Sequence, residues 1–371
     1  MTRSESVNAN SLPQHLRERL TAQEALLERL TVKRDGTPRP TKANMVEILS
    51  HDPRWKGRLR YNRFADQVLF DGVELKDVDE TNTAVELERD WGLVVSTRAL
   101  HECLAKIAFD NPFHPVREYL HGLDWDGIER LPQLFIRYFG AEDVPPVCPM
   151  GVKFMVGAVA RVMQPGCKLD NMVVLYGGQG SGKSRALANL VPQAEWTADT
   201  PFNIQSKDAA IVSQGVWIFE MAELRSLQGR QAATVKAFLS SASDRIRPPY
   251  GRNAVLLARQ CVYVGTTNEE EFIVDPTGSR RFWPVRTGNI DHQAILLDRD
   301  LLWAEARIRY RQGEKWWLDE AEEQQLVELS EPYREVDSWE EHVTRWALQR
   351  GGPSTMAQIL SGALGIPASE I

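Results

Sequence analysis

Apolar and polar positions change rhythm several times along the chain, and each change marks a predicted element. Residues 1 to about 40 are polar without a sustained period. They end in Lys33-Arg34-Asp35-Gly36-Thr37-Pro38-Arg39-Pro40, a basic, turn-rich stretch expected to be a flexible arm. Thr41 then fits an N-cap for a helix whose Met45, Val46, Ile48 and Leu49 share one face, and Ser96 opens a second through Leu100, Leu104 and Ile107. Residues 41–110 therefore read as a small, mostly helical domain. Asn111-Pro112-Phe113-His114-Pro115 breaks that period, Trp125-Asp126-Gly127 makes a turn, and Val152 to Val162 is an amphipathic run. Beyond it the apolar runs become short and continuous: Val173 to Tyr176, Trp217 to Phe219, Val262 to Gly265 and Phe282 to Val285. Strands of this kind alternating with helical stretches predict an α/β domain, a sheet covered by helices, over residues 111–315. Residues 316–371 turn helical and acidic and close on a capped helix near Pro353 to Leu360. With little after that helix, this last region reads as incomplete.

A chain of 371 residues holds two or three domains with real cores. The polar start and the interruption of the apolar stretch near Phe154 by Lys153 and Arg161 argue against a signal peptide or a membrane span, so a cytoplasmic location is expected. Cys103, Cys148, Cys167 and Cys261 lie far apart without metal-ligand spacing and read as reduced thiols, and His114 and His121 read as structural. The formal net charge of −7 argues against non-specific coating of nucleic acid but leaves room for a local basic channel.

The strongest chemical signal follows the first short strand. Gly177-Gly178-Gln179-Gly180-Ser181-Gly182-Lys183-Ser184 spells G-x-x-x-x-G-K-S, and Arg185 to Leu190 continues as a helix. Glycines let backbone N–H groups close around a phosphate chain, and the helix turns its positive end toward the same charge. Residues 177–185 are thus expected to bind ATP, with Lys183 on the β and γ phosphates and Ser184 on Mg2+.

Hydrolysis needs a carboxylate near the magnesium and another that polarises water. Glu220 ends the strand Val216 to Phe219 and Glu223 lies three residues on, so Glu220 is assigned to the Mg2+ side and Glu223 to the water. The two are not adjacent, which leaves their division of labour open. Val262 to Asn268 reads as a strand ending in polar groups, and Asn268 would orient the lytic water. Arg280 and Arg281, before the strand at Phe282, would stabilise phosphoryl charge in the same subunit or from a neighbour, with their roles not separated.

From Arg225 to Arg259 seven positive residues face one negative residue, Asp244. Arg245, Arg247, Tyr250 and Arg252 mix cations with an aromatic at a turn, which suits phosphate tracking and base stacking along a single strand. The competing reading is a network of interfacial ion pairs. Most of the eleven tryptophans read as core or interface residues.

In this order the segments resemble the virulence-associated protein E family of phages, plasmids and mobile islands, similar to superfamily 3 helicases of the AAA+ class. The resemblance runs from His114-Pro115-Val116-Arg117 through Trp125-Asp126-Gly127, Pro165-Gly166-Cys167-Lys168, the phosphate loop, Glu220-Met221-Ala222-Glu223-Leu224, Asp244 to Arg252 and Thr266-Thr267-Asn268 to Phe282-Trp283-Pro284. It implies an AAA+ P-loop core, a parallel sheet between helices, assembled into a ring, expected to be a hexamer, with ATP between subunits. By that resemblance Gly177, Gly182, Lys183 and Ser184 form Walker A, Glu220 and Glu223 Walker B, Asn268 sensor 1, and Arg280 or Arg281 the arginine finger. The segment near Tyr250 would fall where related helicases place a pore hairpin, and the C-terminal helices would open a winged-helix-like domain. The implied function is an ATP-driven DNA helicase or translocase on single-stranded or forked DNA, in a bacterium or phage-infected host, with priming expected from a separate primase-polymerase or from a missing portion. The alternative is an ATP-dependent assembly switch or effector-binding scaffold, in defence or element regulation, without unwinding activity.

Overall fold

The computed structural model describes residues 14–199, 209–222, 230–246, 254–269, 279–333 and 339–367. Packing divides the chain into two compact units, residues 1–123 with 214–216 and residues 124–213 with 217–371.

The first unit holds helices α1 (Gln14–Leu27), α2 (Lys42–His51), α3 (Asp77–Trp91), α4 (Thr97–Asp110) and α5 (Pro115–His121). Thr41 and Ser96 cap α2 and α4, accepting from the amides of Asn44 and Ala99. Between the helices run four short strands, β1 (Leu59–Asn62), β2 (Gln67–Phe70), β3 (Val73–Glu74) and β4 (Pro112–Phe113), in the order β3-β2-β1-β4. This sheet is an addition to the helical unit read from sequence. Its strands of two to four residues are too short to display alternation. Ile48, Leu49, Leu59, Leu87 and Leu100 are fully buried in one core, which Leu26 and Leu30 also enter. The flexible arm expected over residues 1–40 needs correction at its C-terminal part. Leu26 and Leu30 anchor it, Val32 bridges Pro38, and the Asn44 side chain donates to the carbonyls of Thr31 and Arg39 at 2.7 and 2.9 Å.

The second unit is α/β, with a five-stranded parallel sheet flanked by helices. In chain order its elements are α6 (Val147–Met163), β5 (Met172–Tyr176), α7 (Lys183–Asn189), β6 (Thr197–Ala198), α8 (Ala209–Val212), β7 (Ile218–Ala222), α9 (Arg230–Ser240), β8 (Ser243–Ile246), β9 (Val255–Ala258), β10 (Val262–Thr267), β11 (Phe282–Arg286), α10 (His292–Arg311), α11 (Glu320–Ser330), α12 (Glu340–Arg350) and α13 (Met356–Ala363). The strand order is β11-β5-β10-β7-β6, so numbered along the chain the sheet reads 5-1-4-3-2. Every residue of β5 and β10 is buried, the pattern of parallel strands covered on both faces. Val264 of β10 stands opposite both Val173 of β5 and Glu220 of β7, which fixes the register at the site. Strands β8 and β9 form a separate antiparallel pair.

Trp196, Trp217, Trp283 and Trp303 of this unit are buried. Trp217 and Trp303 stack at 4.0 Å, and their indole N–H groups donate to the carbonyls of Ala158 and Leu190 at 2.9 and 2.6 Å. Two large rings with satisfied donors thereby tie the strand region and α10 into one core. His114 caps α5, accepting from the Arg117 amide, in line with its structural reading. No helix among the described residues is long and apolar enough to cross a membrane.

Candidate functional site

The loop after β5 turns sharply because Gly180 and Gly182 take φ of 77° and 87°, a region that L side chains avoid. At Gly182 a Cβ would also stand 2.5 Å from His292 Nε2, at the start of α10. At Gly177 it would run into the Thr287 hydroxyl, itself bound to the Tyr176 carbonyl at 3.0 Å. Glycines here allow both the turn and the close approach of neighbouring segments. The first amides of α7 have no carbonyl one turn behind them, so they remain available to an anion.

Lys183, the first residue of α7, is buried and points back into the loop. Its ammonium donates to the carbonyls of Gly177 and Gly178 at 2.8 and 3.1 Å, to Ser181 Oγ at 3.3 Å and to Asn268 Oδ1 at 3.0 Å. Burial pushes its pKa below the ordinary lysine value, and the negative charge of Glu220 partly opposes that shift. Ser184 Oγ donates to Glu220 Oε1 at 2.8 Å, and Thr266 Oγ1 donates to the same oxygen at 2.6 Å. Strand β10 makes this meeting possible. Lying between β5 and β7, it carries Thr266 beside the acidic strand, and Asn268, just past its end, lies beside the loop.

These groups line a cavity of about 480 Å3, together with Gln179, Gly180, Ser181, Gly182, Arg185, Ala222 and Thr267. The structure thus brings together most of the sequence-predicted residues of the loop, with Glu220 and Asn268. Glu223 lies outside the described residues. Thr266 and Thr267 line the cavity and Thr287 and His292 pack against its glycine loop, four residues to which no sequence motif assigns a role. Thr266 had one signal, a hydroxyl near the polar end of a strand beside the acidic one. The places of Thr287 and His292 depend on long-range packing. Ser184 and Glu220 fit a magnesium site, because this ion keeps most of its water and takes one or two protein ligands beside substrate phosphates.

Arg280 and Arg281 are not brought to this cavity. They precede Phe282, which pairs with Met172 at the start of β5, whereas the loop follows Tyr176 at its end. About 13 Å of strand separates the two ends. Arg281 instead approaches Asp170 at 3.8 Å, while Arg280 is exposed. The same-subunit role among the two sequence alternatives is therefore corrected by the parallel pairing of β11 with β5.

Of the proposed nucleic-acid residues, Arg245 is exposed on β8, opposite Leu256 of β9. Arg247, Tyr250 and Arg252 lie outside the described residues. Arg259, counted among the basic residues of this region, is buried. It holds Asp244 in a two-pronged pair at 2.6 and 2.7 Å, donates to the Phe238 carbonyl and stacks over the Phe238 ring at 4.0 Å. At this position the guanidinium is spent on a pair within the chain, which is neither a free phosphate contact nor the interfacial network of the competing reading.

The model of the virulence-associated protein E-like domain matches residues 120–335, more than half of the chain. The chain belongs to this family. The virulence-associated protein E-like match spans the phosphate loop, the acidic strand, the β8–β9 pair and β11. Solved structures similar to the chain include the apo structure of the NrS-1 C-terminal region (305–718), at 12% identity and a TM-score of 0.45, covering 84% of this chain and 80% of that one. Two A-form apo structures of the NrS-1 C-terminal region are also similar. One has 13% identity, a TM-score of 0.39 and coverage of 67% and 62%; the other has 14%, 0.41 and coverage of 62% and 57%. No curated protein matches the chain.

Proposed function

We propose that this virulence-associated protein E-like chain is an ATP-driven DNA translocase or helicase with an AAA+ P-loop core, serving replication of a phage, plasmid or other mobile element. The observation that carries the reading is the meeting of Lys183, Ser184, Glu220 and Asn268 around one cavity at the C-terminal ends of parallel strands, where open α/β sheets hold ligands. Lys183 and the glycine-loop amides bind the phosphate chain, and Lys183 trades its loop-carbonyl contacts for phosphate oxygens. Ser184 and Glu220 would hold Mg2+, which neutralises phosphate charge when bound. Thr266 fixes the Glu220 carboxylate against rotation, and Asn268, already bonded to Lys183, orients water at the γ-phosphate end.

A cavity with no arginine of the predicted pair beside it also supports assembly. Arg280 or Arg281 would enter the cavity of a neighbouring copy, so that hydrolysis occurs at subunit boundaries of a ring. The β8–β9 pair would carry the DNA contacts. A mixing experiment tests this arrangement. Lys183→Ala and Arg280→Ala/Arg281→Ala proteins are each expected to hydrolyse ATP poorly. When mixed they should recover a measurable share of wild-type turnover, because one supplies the cavity and the other the arginines. A mixture no more active than its parts would contradict hydrolysis across the boundary.

A further inference from the structure

A second cavity lies at the other end of the sheet. It occupies about 330 Å3 near the starts of β5 and β11 and is lined by Lys168, Asp170, Arg280, Trp283, Trp316 and Trp317, among others. Small-ligand pockets span about 300–1,000 Å3. Its aromatic wall is fixed by satisfied donors. The Trp283 indole N–H is bound to the Arg280 carbonyl at 3.1 Å, and that of Trp316 to the Lys168 carbonyl at 2.9 Å. Trp316 packs edge-on against Trp317 at 5.2 Å, and Trp317 is half exposed. Because the Trp283 and Trp316 donors are already used, these rings have π-surface rather than hydrogen bonds to offer a ligand.

Charge surrounds this surface. Lys168 and Arg280 are exposed cations of the lining, and the Lys315 ammonium lies 5.9 Å from the Trp317 ring. Asp170 is compensated by Lys168 and Arg281, each at 3.8 Å. Glu323 also lines the cavity, but the cations around it, Lys168, Arg280, Arg281 and Lys315, outnumber the carboxylates, and stacking surface next to exposed positive charge matches a flat aromatic group joined to an anion. We infer that this cavity binds one nucleotide unit, its base against Trp316 and Trp317 and its phosphate on Lys168 and Arg280. The unit belongs to a single-stranded nucleic acid or is a free nucleotide; the single-strand source rests on the DNA-directed function proposed above. The site is distinct from the phosphate loop, which lies at the opposite sheet end.

Photo-crosslinking separates these sources. An oligothymidylate carrying one 4-thiothymidine, and 4-thiothymidine monophosphate alone, are irradiated with the full chain carrying Lys183→Ala, and the labelled peptides are identified by mass spectrometry. Labelling at Trp316 or Trp317 by the oligonucleotide is expected, falling about tenfold in Trp317→Ala and Lys168→Ala and returning in Trp317→Phe. Labelling by the monophosphate alone would still establish the site but assign it to a free nucleotide. Absence of label with both probes would overturn the inference. So would unchanged oligonucleotide labelling in Trp317→Ala, or a Trp317→Ala variant that loses only self-association, which would make the pocket a subunit contact. Since the parent variant lacks the phosphate-loop lysine, a failed motor reading would leave the crosslink standing.

Discussion

Glu220 accepts from Ser184 and from Thr266 on a single carboxylate oxygen, so its orientation depends on a hydroxyl that never needs to touch ATP. A hydrogen bond to a charged group contributes roughly 1.5–3 kcal/mol. Thr266→Val keeps the shape of the side chain and removes that bond. Turnover is expected to fall about tenfold, with little change in ATP affinity, because the loss reaches the chemistry rather than the binding. An unchanged kcat measured beside an unchanged Kd would show that Thr266 does not position Glu220. Lys183 gives a second residue-scale expectation. Burial lowers its pKa in the free protein, so it begins to lose its proton at a lower pH than an unfolded-chain lysine would. Bound phosphate favours the ammonium and raises that value again. ATP binding at alkaline pH, above the free-protein value, should therefore take up protons. Calorimetry in buffers of different ionisation heat reads the uptake; heats independent of buffer across the alkaline range would contradict it.

At the scale of elements, the base of the β8–β9 pair depends on Arg259 and Asp244. Removing one member of a buried ion pair leaves its partner uncompensated, at a cost of about 3–5 kcal/mol. Asp244→Ala is expected to lower stability in chemical denaturation by about 3 kcal/mol or more. The double variant Asp244→Ala/Arg259→Met should lose less, since no buried charge is left alone. Equal losses in the two would show that the pair's packing, rather than its charge, holds the strands. This node also shows where reading the sequence stops. The phosphate loop, Glu220 and Asn268 are legible because each lies in a short run with its own strand, and chemistry of that kind is written locally. The service of Arg259 to Asp244 is not, since counting charges makes Arg259 one more cation in a basic stretch. The insertion of β10 between β5 and β7, the contact of His292 with Gly182 and the remote end occupied by Arg280 and Arg281 all depend on strand order. Strand order is set by long-range packing. The first unit's sheet escapes for a different reason: strands of two to four residues show too few alternations to differ from loop.

For the whole molecule, the net charge of −7 and the basic stretch from Arg225 to Arg259 pull in different directions. A chain acting on DNA must place its few positive segments at the nucleic acid, whereas an assembly switch has no such need. The two readings share the same phosphate cavity and differ in whether DNA alters its turnover. The most direct measurement is steady-state ATP hydrolysis by the purified chain, with and without single-stranded DNA, beside Lys183→Ala. The proposed motor requires turnover that rises with DNA in the wild type and falls about a hundredfold in the variant, equivalent to roughly 2.7 kcal/mol. Wild-type hydrolysis indifferent to DNA would contradict a translocase and favour the switch, and equal turnover in Lys183→Ala would remove the phosphate cavity from the chemistry altogether.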